Sequence, residues 1–152
     1  MTSGLSTDEA VRALLLLMPR LVGRAKRLPV PEQLRDLNLA PRHLSLLAHL
    51  QYDGPLTVSD LAARLEVAQT TVSLMVAELA DRGVLLRRED DHDRRRRIIE
   101  ITPAMKEPIA EWLGGNARAW LTALGNLTDA QRATVVDTLR AYEDALHSAL
   151  DA

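Results

Sequence analysis

Four consecutive arginines, Arg94-Arg95-Arg96-Arg97, stand out; the first three close the stretch Glu89 to Arg96, which is all charge apart from His92. Guanidinium groups in a row suit a polyanion, and narrow A-rich minor grooves of DNA attract arginine through their enhanced negative potential. Alternatively, such a run is simply a solvated face. The adjoining Asp90-Asp91-His92-Asp93 offers four potential metal ligands. Adjacent side chains at a hairpin tip diverge, however, and the arginines repel cations, so no metal is expected. The sequence has no cysteine, which excludes a disulfide framework, a Cys-ligated zinc site and thiol redox sensing. It also has no phosphate-binding glycine loop and no nucleophile elbow. His43, His49, His92 and His147 form no evident constellation. An enzyme and a cofactor are therefore not expected. A second group, Gln69, Thr70, Thr71 and Ser73, is polar without charge. Gln can bond bidentately to adenine, and a Thr methyl can meet the thymine methyl.

These residues need elements to position them. Ser6 with Glu9 reads as a capping box opening a helix. Val11, Leu14, Leu15, Met18, Leu21, Val22 and Ala25 continue it, Pro19 should kink it, and Pro29 and Pro31 end it. A second helix starts at Pro41, carries Leu44, Leu47 and Ala48, and stops at Asp53-Gly54-Pro55. Thr57 caps a third, with Leu61, Ala62 and Leu65 facing inward. After Glu66-Val67-Ala68 another runs from about Gln69 to Asp81 on Val72, Met75, Val76 and Leu79, with Gly83 as its left-handed C-terminal residue. Val84–Arg88 and Arg97–Thr102 then read as two strands of a hairpin. Alternation along the strand is expected to point neighbouring arginines in opposite directions. Pro103 opens a helix that Gly114-Gly115 should interrupt, at about 1 kcal/mol per glycine relative to alanine. Thr128 with Gln131 opens the last helix as a second capping box.

Two short helices joined by a three-residue turn make a helix-turn-helix, and the hairpin after them makes it winged. The fold expected is mainly α with a small β-hairpin (α+β). The stretch Leu56-Thr57-Val58-Ser59-Asp60-Leu61-Ala62, continued by Val72-Ser73, Leu79 and Arg82-Gly83, resembles MarR-type transcriptional regulators. So does the hairpin, where Asp90 to Asp93 precedes Arg94-Arg95 and Ile101-Thr102 closes the strand. Two departures stand out. Pro103-Ala104-Met105 follows where the family usually has a Gly, and no Lys or Arg occurs between Arg64 and Arg82. The probe helix is thus nearly neutral.

The resemblance implies a winged helix-turn-helix over 37–102, flanked by helical dimerisation regions at 1–36 and 103–152. It implies a sequence-specific, homodimeric DNA-binding regulator, a repressor rather than an activator, on a pseudo-palindromic operator. Two-fold symmetry would place two probe helices about one helical turn apart. The DNA-binding residues would be Gln69, Thr70, Thr71 and Ser73 in the major groove and Arg94, Arg95 and Arg96 on the wing, with Arg95 entering the minor groove. Asp93 would hold the tip by an ion pair. Without arginine on the probe helix, the commonest contact to guanine is missing, so an A·T-weighted readout is expected. Relatives commonly bind a small lipophilic anion between dimer helices and winged domain. His43, His49, Tyr52 and Trp112 would serve here, although Tyr52 and Trp112 also suit a core. The alternative is a winged-helix protein-interaction module without specific DNA binding.

Composition bounds these readings. The 152 residues are 47% hydrophobic and 26% charged, with 3% aromatic and no Phe, so the core must be aliphatic. The net charge of −2 gives no overall attraction to nucleic acid or anionic membranes, and any attraction must be local. Ala13–Met18, the longest apolar run, falls far short of the ~20 residues that span a bilayer. Met1–Glu9 has no Lys or Arg, so no signal peptide is expected there, and a soluble, cytoplasmic protein is.

Overall fold

The computed structural model describes residues 4–152, so Met1, Thr2 and Ser3, at the start of the expected 1–36 region, lie outside the described residues. The elements are α1 (Thr7–Ala25), α2 (Glu32–Arg35), α3 (Pro41–Asp53), β1 (Leu56–Thr57), α4 (Val58–Leu65), α5 (Gln69–Asp81), β2 (Leu85–Glu89), β3 (Arg97–Ile101), α6 (Pro103–Leu124) and α7 (Asp129–Leu150). They form two compact units, Met1–Gly115 and Asn116–Ala152. Among the described residues no helix is long and apolar enough to cross a membrane.

The local start signals act as their chemistry dictates. At α1 the Glu9 N–H donates to Ser6 Oγ (3.3 Å), and the Ser6 N–H donates to Glu9 Oε2 (2.9 Å). The Ser6 N–H, and after it the Ser6 hydroxyl, which also donates to Glu9 Oε2 (2.9 Å), hold the Glu9 carboxyl below its usual pKa. Thr128 and Gln131 form the same reciprocal pair at α7. Gly83 takes the left-handed conformation (φ 75°) that ends α5 and turns the chain into β2.

The first unit has one aliphatic core. Leu46, Leu47, Leu61, Val72, Leu79 and Ile99 are fully or almost fully enclosed, and Ile109 of α6 joins them. The sheet is antiparallel in the order β1-β3-β2. Leu85 lies opposite Ile101 and Glu89 opposite Arg97, while Leu56 and Thr57 of β1 pair with Ile99 and Ile98. The hairpin therefore carries a third, two-residue strand.

Three features differ from the sequence expectation. One turn of helix, α2, lies between Pro31 and Pro41, and its Leu34 is buried; a single turn is too short to show a period. β1 is likewise too short, and its Thr57 doubles as the cap of α4. Gly114-Gly115 does not interrupt α6, which is continuous from Pro103 to Leu124. The entropic cost of two glycines is only about 2 kcal/mol. Ile109 is buried upstream of them, and Trp112 and Leu113 pack against the core.

α1 and α7 are different in kind, because neither buries any residue. On α1, Leu14, Leu15 and Leu16 are 50%, 67% and 63% exposed. On α7, Val136, Leu139, Tyr142 and Leu146 are open to solvent.

Candidate nucleic-acid interface

The helix-turn-helix is α4, Glu66-Val67-Ala68 and α5. Thr57 and Asp60 lock the start of α4: the Asp60 N–H donates to Thr57 Oγ1 (3.1 Å) and the Thr57 N–H to Asp60 Oδ2 (3.3 Å). The turn needs one left-handed residue, supplied by Glu66 (φ 55°), and the Val67 N–H closes it on the Ala62 carbonyl (3.2 Å). α5 then buries Val72, Met75, Val76 and Leu79. That fixes which face points outward, and Gln69, Thr70, Thr71 and Ser73 all lie on it, exposed. Ala68 at the N-cap has no side chain to bond the first-turn amides. Uncapped amides at a helix N-terminus favour an anion.

The wing is β2, β3 and the residues between them. Arg97 pairs with Glu89 across the ladder (3.4 Å), and Arg88 pairs with Glu100 (3.5 Å). At the tip the Asp90 N–H donates to the Arg96 carbonyl (3.1 Å) and the Arg96 N–H to the Asp93 carbonyl (3.0 Å). Residues 93–96 thus form a tight turn, and strand alternation starts only at Arg97. Asp93, expected to make an ion pair at the tip, makes none among the described residues. Its Oδ1 accepts the Arg95 N–H (3.0 Å), as Asp90 Oδ1 accepts that of His92 (3.0 Å). An aspartate at the first position of a turn bonds its own backbone two residues on, and this occupies a carboxylate oxygen otherwise available to a guanidinium.

The four arginines are therefore not equivalent. Arg97 is held by Glu89, and Arg96 reaches Asp60 on α4 (4.0 Å). Arg94 and Arg95 occupy the two corners of the turn, exposed and, among the described residues, without an ion-pair partner. The first turn of α4 connects the two groups: Asp60 meets Arg96 of the wing, while Ser59 Oγ accepts a long bond from Gln69 Nε2 at the start of α5 (3.5 Å). The Asp60 carboxyl sits below its usual pKa, chiefly through the Thr57 hydroxyl and then the Thr57 N–H, with Arg96 and Arg64 adding to it.

The expected effector residues are dispersed in role. His43 is enclosed, and both ring nitrogens are engaged. Nδ1 accepts the Ala40 N–H (3.0 Å) and Nε2 lies 3.1 Å from Glu78 Oε2 on α5. The ring thereby caps α3 and ties it to the probe helix, a function no sequence period reveals. Arg42 approaches the same carboxylate (3.8 Å). His49 is half-buried and faces Asp53 (3.2 Å), Tyr52 is exposed, and Trp112 packs partly against the core. Arg82, to which the sequence assigned no structural role, donates to the Leu37 carbonyl (2.6 Å) and fastens the end of α5 to the segment before α3.

Comparison with known proteins places this geometry. The family model of the MarR family matches residues 37–96. The HTH-type transcriptional repressor MdtR of Bacillus subtilis is 30% identical over 102 residues, covering 65% of this chain and 66% of that relative, just under two thirds of its length. A MarR family protein from Bacillus stearothermophilus superposes with a TM-score of 0.58 at 21% identity, over 94% of this chain and 99% of that one. The PcaV transcriptional regulator from Streptomyces coelicolor, solved with its natural ligand, gives 0.60 at 19% identity, over 95% and 99%. At these identities the structures speak for the fold.

Proposed function

We propose, because this chain belongs to the MarR family of transcriptional regulators, that it is a homodimeric repressor gripping a pseudo-palindromic operator from two sides. The observation that carries this reading is the pair Arg94 and Arg95, unpaired among the described residues at the corners of the wing turn. That wing is fastened through Asp60 to the same helix turn that Gln69 reaches from α5. A cationic tip and a polar helix face so joined suit one duplex, with Arg95 entering a narrow minor groove, Arg94 and Arg96 meeting phosphates, and Gln69, Thr70, Thr71 and Ser73 facing base edges.

Since α5 has no basic residue, readout under it is A·T-weighted. The bare apolar faces of α1 and α7 supply material for a dimer, since most helix stability comes from packing. A small lipophilic anion releasing the operator completes the proposal. His49, Tyr52 and Trp112 are its anchors and His43 its link to α5 through Glu78.

Selection of binding sites from random duplexes tests DNA binding, symmetry and base preference together. A two-fold motif with A·T-rich half-sites is the expected result. A motif dominated by invariant G·C pairs under α5 would remove the readout. No selected duplex at all would favour the protein-interaction reading, and a monomer by sedimentation at micromolar concentration would remove the dimer.

A further inference from the structure

Leu74 is the one large apolar residue of α5 left in solvent. It is 67% exposed, while Val72, Met75, Val76 and Leu79 on the same helix are at most 5% exposed. One turn back from it stand Thr70 and Thr71, both exposed, and one turn on stands Ala77, half-buried. The charge nearest along the helix, Glu78, is drawn towards His43 and Arg42 of α3. The middle of the outward face therefore sets the Leu74 side chain beside the methyls and hydroxyls of Thr70 and Thr71, with no cation on it.

A leucine so placed can take an apolar partner. The edge of a base pair in the major groove offers one, the C5-methyl of thymine. The cations of the wing tip, Arg94 and Arg95, belong to the same folded unit and suit the phosphates of the same duplex. We infer that Leu74 is a specificity-determining residue that reads a thymine C5-methyl in each half-site. This rests on the regulator reading above and adds to it the atom recognised. It also gives a reason for the missing arginine, because a guanidinium beside Leu74 would have to be desolvated against methyl groups.

The test uses the full chain and an operator obtained by selection. Each thymine is replaced in turn by deoxyuridine, which removes the C5-methyl and nothing else, and affinity is read by fluorescence anisotropy. With wild type, one thymine per half-site should cost about fourfold on replacement, the worth of one buried methyl, and about fifteenfold in both half-sites together. Leu74→Ala should bind the thymine operator correspondingly less well and lose the distinction between thymine and deoxyuridine at that position alone. As Leu74 is exposed, Leu74→Ala should keep the wild-type circular dichroism and melting temperature. Binding in which no thymine position separates wild type from Leu74→Ala would overturn the assignment and leave the regulator reading standing. Failure to bind any duplex would overturn both.

Discussion

The probe helix α5 and the wing tip both touch the first turn of α4, yet their chemistry is opposite. The outward face of α5 carries threonine, serine and leucine, with its one nearby carboxylate drawn towards α3. The tip carries two guanidinium groups, without an ion-pair partner among the described residues, on a turn held by aspartate-to-backbone bonds. Uncharged contacts to base edges depend on sequence and hardly on salt. Arginine on phosphate depends on salt and hardly on sequence. On the proposed reading the wing tip supplies mostly affinity, with Arg95 adding a preference for narrow minor grooves, and α5 supplies the discrimination between bases.

The sharpest way to break that division is to remove the charge. Arg94→Ala with Arg95→Ala should weaken operator binding on the order of a hundredfold, taking typical costs per DNA contact. The slope of log affinity against log salt should flatten by about 0.9 for each phosphate that the wing no longer neutralises. Base preference in a selection experiment should persist under α5. An unchanged salt slope would take the wing out of the interface.

The next largest effect should come from the seat of α5. His43→Ala strips the bond partner from the Ala40 N–H and from Glu78, and it hollows a site at the start of α3. Unsatisfied polar groups and poorer packing together cost about 2 kcal/mol of folding stability, measurable by urea denaturation. Operator affinity should fall with it while the salt slope stays at the wild-type value. A changed slope would mean that the two elements are not independent.

What could be read from sequence follows the same line between local and distant. The boxes Ser6/Glu9 and Thr128/Gln131, the Thr57 cap and Gly83 were legible because each is satisfied within a few residues. The winged helix-turn-helix followed from their order. The hairpin strands were legible to within one residue because β2 and β3 lie close in sequence. The bond from His43 to Glu78 spans 35 positions, and no period or spacing announces it. β1 and α2 were too short to show a pattern, and α6 ran through two glycines because neighbours outweighed propensity. At the wing, composition singled out the arginines but not which were already paired. Only the turn geometry separates Arg94 and Arg95 from Arg96 and Arg97. Leu74 was visible as a residue outside the inward set Val72, Met75, Val76 and Leu79, though its exposure needed the packed core.

The smallest expected effect concerns Asp60, the residue at the junction of the two elements. Its carboxyl accepts from Thr57 and lies near Arg96, so the folded protein holds its pKa below the ordinary 3.8. A depressed carboxylate adds stability that is present above that ordinary value and is lost as pH falls through the lowered folded value. Stability should thus be level with respect to this group near neutrality and decline below about pH 4. Glu9, also depressed, titrates in the same acid range at the head of α1, so the wild-type curve alone mixes the two. Asp60→Asn isolates the contribution. It should lower stability near neutral pH by less than about 1 kcal/mol, because the pair with Arg96 is open to solvent and screened. The deficit should shrink as pH drops below 4, where the wild-type carboxyl is itself protonated. In operator binding, Asp60→Asn releases Arg96 from its restraint, so the salt slope should hold or steepen, opposite in sign to the loss at Arg94 and Arg95. A flatter slope would show that Asp60 holds the wing in its DNA-facing position, and the junction would then matter more than either element's own chemistry.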